Sequence, residues 1–254
     1  RSLGFQLERA YTPLVHFRPI DLGYLIALGV IVGVLAECYC KYVLTMQRQG
    51  NYWFKDHLIL RMVICGIVLG GMYSFLPETF HHLGGLQNII AGGNADIAMA
   101  LGTFVVLFFS TGLAAASGAP GGLFYPMLTL GGAIGLACGS WIEALTGHVP
   151  DTFIFAGMGA FVAACSRTPI TAMFLAFALT KDLLILKPLL VACITSFLVA
   201  RLFNEHSIYV RQMGIDLNEE RKVQARLKKK GSVLETISSD IGRKPFAPPP
   251  DTQT

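Results

Sequence analysis

Residues 117–135 read SGAPGGLFYPMLTLGGAIG. Gly118, Pro120, Gly121, Gly122 and Pro126 crowd the junction between two apolar runs, residues 97–116 and 121–145. Proline suits the first turn of a helix, where no N–H is required. The stretch therefore predicts a helix that starts close to Pro126 after a break at membrane depth. Backbone there cannot stay unpaired against lipid, so such a break must line protein or a water-filled cavity. The residues just ahead of Pro126 would present N–H groups at the positive end of the helix dipole, a place suited to an anion. Gly122 leaves room for close approach to the backbone. The same glycines fit close helix packing or a plain turn between spans equally well.

Outward from this break the chain is apolar almost throughout. Of 254 residues, 53% are hydrophobic and only 14% charged, and mean hydropathy is +0.56. Soluble domains rarely carry so little charge. Further apolar runs occupy residues 22–42, 58–76, 153–180 and 183–200, near the ~20 residues that cross a bilayer. The expectation is an all-α polytopic membrane protein whose six runs divide into more helices where Gly and Pro interrupt them. Residues 1–20 read as a connector without a secretory signal, 21–204 as the transmembrane domain, and 47–56 as a loop between spans. Residues 77–96, with a short amphipathic helix near 86–90, read as another connector. The six cysteines, at 38, 40, 65, 138, 165 and 193, all fall in apolar runs without metal-ligand spacing.

Residues 205–254 change character. EERKVQARLKKK at 219–230 holds six Lys/Arg against two Glu and favours a solvated helix. Its place after the last apolar run predicts a cytoplasmic C-terminus, and contact with anionic lipid headgroups is the sharper alternative. The closing PFAPPPDTQT predicts a Pro-rich disordered tail.

Gly122-Leu123-Phe124-Tyr125-Pro126 matches the GxFxP signature of the CLC family of chloride channels and chloride/proton exchangers, and the chain resembles that family from about residue 21 to 213. Two more anchors agree. GMGAFVAACSRTPI at 157–170 looks like the family's glycine-alanine helix ending in an R-x-P turn, with Arg167 and Pro169 at the interruption. Tyr209, in HSIY, resembles the tyrosine whose hydroxyl coordinates the central chloride. Taken alone, such a tyrosine reads as an interfacial anchor, and Arg167 as an interfacial cation capping carbonyls at a helix end.

The resemblance implies a CLC-like fold of tilted, broken helices of uneven length, of which this chain would hold the second inverted repeat only. It further implies chloride, or a similar small anion, bound by the backbone N–H groups of Leu123 and Phe124 and the Tyr209 hydroxyl, with Gly122 and Pro126 in support. It implies a homodimer in a lipid bilayer, with subunit contact near 183–203. The first repeat would come from the same polypeptide or a companion chain, and would bring the family's coordinating serine in GSGxP and its gating glutamate in GxExP. Neither motif occurs in these 254 residues. Voltage gating and antiport both belong to the family. No catalytic residue, metal, cofactor, nucleic-acid partner or pair of appended regulatory (CBS) domains is expected.

Other polar residues read as structural. Glu37 and Lys41, at i and i+4, predict a local ion pair near a helix end. Glu143 reads as interfacial. His81 and His82 lack a third ligand. The rival from a different class is a membrane-embedded serine hydrolase with Ser117 as nucleophile, weakened because none of the six histidines lies inside an apolar run.

Overall fold

The computed structural model describes residues 19–53, 58–74, 97–118, 122–146, 152–180 and 185–243. The helices are α1 (Pro19–Trp53), α2 (Leu58–Ser74), α3 (Ile97–Ser117), α4 (Phe124–Thr146), α5 (Thr152–Ser166), α6 (Pro169–Thr180), α7 (Leu186–Phe203) and α8 (Ile208–Arg243). Among the described residues there is no strand. The lengths are uneven, from 12 residues in α6 to 36 in α8. By length and composition, Leu22–Trp53, Ala100–Ser117 and the stretch beginning at Leu186 are long and apolar enough to cross a membrane.

The core forms around α5. Its sequence, TFIFAGMGAFVAACS, has no polar face, and every residue from 152 to 165 is buried. A helix apolar all round belongs in the centre of a bundle, and α5 is packed by α1, α4, α6 and α7. Small residues set how close those neighbours come. A Cβ at Gly157 would strike the Gly131 carbonyl oxygen and the Gly135 backbone of α4, so the α4–α5 crossing is a backbone-to-backbone contact. Gly29 and Gly33 do the same for α1 against Thr195, Ser196 and Val199 of α7. Tyr39 of α1 then fills the space between α3 and α5, edge-on to Phe108 and Phe161 with centroids 5.8 and 5.5 Å away.

The apolar run at 153–180 divides into α5 and α6 at the R-x-P turn, as its sequence predicts. Arg167 ends α5 in the left-handed region at φ 63°, a conformation that costs a non-glycine residue about 1–3 kcal/mol. Thr168, held extended by the following proline, supplies the carbonyl that accepts the first bond of α6, from Ala172 N–H at 3.1 Å. Pro169 is the first residue of that helix.

One expectation about helix bounds fails. Residues 47–53 are not a loop but the end of α1. Arg61 of α2 holds this stretch from the side, donating to Asn51 Oδ1 at 2.9 Å and to the Ala116 carbonyl of α3. A polar sequence with no proline continues a helix readily when a neighbour supplies such bonds. The helix expected near 86–90, the histidines at 81 and 82, the Glu143 side chain, the tail beyond 243 and nearly all of the connector 1–20 lie outside the described residues.

Residues 210–254 form a second compact unit. Its described part is polar helix, with Lys222 and Glu219 paired at 2.8 Å on the surface. Such an exposed pair is worth at most ~1 kcal/mol.

Replacing Gly157 by Val should force α4 and α5 apart and lower stability by about 1–3 kcal/mol or more. Thermal unfolding of the purified protein in detergent measures this, and an unchanged melting temperature would show that the crossing is not tight.

Candidate functional site

The break quoted above becomes the start of α4. The helix begins at Phe124, and its first backbone bond runs from Met127 N–H to the Leu123 carbonyl at 3.1 Å. Pro126 thus occupies the first turn, as expected. The N–H groups of Leu123 and Phe124 precede the first helical donor and are left over by helix geometry. Among the described residues no backbone carbonyl accepts from either. Leu123 is buried and Phe124 is 40% exposed. Among the described residues nothing lies within 4 Å of where a Cβ at Gly122 would stand, so none of them crowds the approach to this helix end. On the other side of the break, Gly118 turns the chain at φ 73° after α3.

Ser117 ends α3, with its hydroxyl donating back to the Ala114 carbonyl at 2.7 Å. That is a local helix-end bond, and nothing supports the hydrolase alternative.

Tyr209, half-exposed, follows the turn 204–207 between α7 and α8. Its hydroxyl lies within electrostatic reach of Cys165 on α5 and Cys40 on α1. Among the described residues no hydrogen bond joins Tyr209 to Leu123 or Phe124. An open cleft of about 850 Å³ lies beside this turn, lined by Arg201, Asn204, Glu205 and His206 together with apolar residues of α7. It contains neither Tyr209 nor the 122–126 break.

Sequence reasoning missed the best-defined polar centre. Glu37 does not pair with Lys41. Its Oε2 accepts from Arg167 Nη2 at 3.0 Å, and both side chains are buried, at 2% and 8% exposure. Lys41 instead places its ammonium 5.7 Å from the centroid of the Phe203 ring, where a cation is attracted to the aromatic face. The same Arg167 nitrogen donates to the carbonyls of Ala200 at 3.0 Å and Asn204 at 2.9 Å. Arg167 Nη1 reaches the Ala164 carbonyl. Arg167 therefore caps carbonyls at the ends of both α5 and α7, as its position predicts, with its own side chain buried against protein. The reach of 130 residues from Glu37 leaves no local signal. The one available clue was two ionisable residues of opposite sign, each interrupting an apolar run.

Residues 2–201 match the model of a family described as voltage gated chloride channel. The chain belongs to this family, the CLC family. The H(+)/Cl(-) exchange transporter ClcA of Vibrio parahaemolyticus serotype O3:K6 is 32% identical over 213 residues, covering 81% of this chain and 45% of its own. The protein of the same name from Cronobacter sakazakii is 33% identical over 216 residues, covering 78% and 44%. A slow cyanobacterial Cl-/H+ antiporter of known structure superposes with a TM-score of 0.71 at 26% identity, covering 84% of this chain and 51% of that one. A eukaryotic CLC transporter gives 0.63 at 18% identity, a likeness of fold. The chain spans about half the length of the relatives it matches. The fold is CLC-like and all-α, and the protein is an integral membrane protein.

Replacing Arg167 by Met would leave the Glu37 carboxylate buried without its partner, at a cost of about 3–5 kcal/mol. Denaturation of the purified variant checks this. A loss below ~1 kcal/mol, the value of a surface pair, would show that the two charges reach water.

Proposed function

We propose that the protein containing this chain carries chloride, or a small anion like it, across a membrane and binds it where α4 begins. The observation that carries this reading is the open N-terminus of α4 in a CLC-family chain. The helix starts with backbone donors at Leu123 and Phe124 that no described backbone carbonyl uses, and no described residue crowds Gly122. Dipole and N–H groups together offer partial positive charge to an anion. No full cation is needed there, so an ion that sheds its water to enter can also leave. The Tyr209 hydroxyl would donate from the α7–α8 side, and the exposed Phe124 ring would wall the path. The first repeat, carried elsewhere in the protein, would complete the pathway.

The exchange transporters among the relatives favour proton-coupled movement over a passive channel. The basic helix after Tyr209 supports a cytoplasmic C-terminus. Exposed Ile194, Leu198 and Leu202 on α7 support subunit contact on that face in a homodimer.

Full-length protein in liposomes should release chloride down its gradient and move protons with it. Absence of anion flux from folded protein would overturn the proposal. Gly122→Val supplies a sharper check. No neighbour obstructs the added side chain, so the melting temperature should hold while anion flux drops by about tenfold or more, through loss of close approach to the donors. Tyr209→Ala should weaken halide binding, and unchanged binding would remove Tyr209 from the site.

A further inference from the structure

We infer that the Glu37–Arg167 pair is a positioning device for Tyr209: it holds the α7–α8 turn, and through it the tyrosine hydroxyl, in place against α1 and α5. The inference rests on Tyr209 belonging to the anion site.

Arg167 gathers four acceptors from separate parts of the chain. Glu37 Oε2 comes from α1, the Ala164 carbonyl from α5, the Ala200 carbonyl from the last turn of α7, and the Asn204 carbonyl from the turn itself. Asn204 stands five residues before Tyr209. Its N–H bonds to Ala200 O at 3.2 Å, and its side-chain oxygen accepts from His206 N–H at 2.9 Å. The turn is therefore tied at its start by the guanidinium and within itself by Asn204. At its other end the Tyr209 hydroxyl lies within electrostatic reach of Cys40 and Cys165, which are three residues after Glu37 and two before Arg167. One buried cluster thus fixes the base of the turn to α1 and α5, five residues from the tyrosine.

The residue types fit the task. A planar guanidinium can bond a carboxylate and several carbonyls at once, which a lysine ammonium on a flexible stem does less well. Glu37 neutralises the guanidinium, so Arg167 acts through geometry and does not serve as a counter-charge that would retain the anion. Arg167 also sits at φ 63°, a conformation that persists only where its surroundings enforce it.

Chloride titration of the full-length protein by calorimetry, with melting temperature followed in parallel, tests this. Glu37→Gln and Arg167→Lys are each made with Tyr209 intact and in a Tyr209→Phe background. Each is expected to weaken chloride binding about tenfold when Tyr209 is present and to add almost nothing when its hydroxyl is gone, the non-additivity of residues acting as one unit. Equal weakening in both backgrounds, or unchanged affinity, overturns the positioning role. If neither variant folds, the pair is structural only and the inference fails. If the unsubstituted protein binds no chloride, the anion-site assignment is what falls, and the inference goes with it.

Discussion

The last turn of every helix leaves carbonyl groups without a partner inside the helix, and the arrangement around α5 answers that constraint. The ends of α5 and α7 meet at one side chain, where Arg167 bonds the Ala164 and Ala200 carbonyls. Putting a guanidinium there demands a buried anion in turn, and Glu37 supplies it from α1. Three helices are thereby fixed at one depth, and the glycine-lined crossings of α5 with α4 and of α1 with α7 let them approach closely enough for that bonding. Small residues and one ion pair do complementary work: packing sets the distance between helices, and the pair sets their register along the axis.

The parts of this fold legible in the sequence were those governed by local rules. An apolar run of about twenty residues announces a span whatever its partners. Pro126 and Pro169 mark first turns because the missing N–H is harmless only there. The length of α1 was not legible, since residues 47–53 are polar and are held in helical form by Arg61 of α2. The partner of Glu37 was hidden for the same reason. At i+4 Lys41 offered a nearby answer, while the actual partner lies 130 residues on in sequence and meets it only through tertiary packing. Of the candidate site, the donors at Leu123 and Phe124 could be placed from the motif, whereas the surroundings of Tyr209 depend on how α1 and α5 cross.

The two kinds of helix end are treated differently, and the difference bears on the proposed chemistry. Carbonyl ends at Ala164 and Ala200 are closed by a cation that is itself neutralised. Among the described residues the amide end at Leu123 and Phe124 has no backbone capping partner and nothing crowds Gly122. An interior that stabilised every helix end alike would leave no residual field for a mobile ion. Closing negative ends and leaving a positive end open would favour an anion without committing a charged side chain to the proposed path. If chloride does bind at this break, selectivity by charge sign follows from which helix termini are capped, and Arg167 contributes to it indirectly by removing the competing carbonyls from the field.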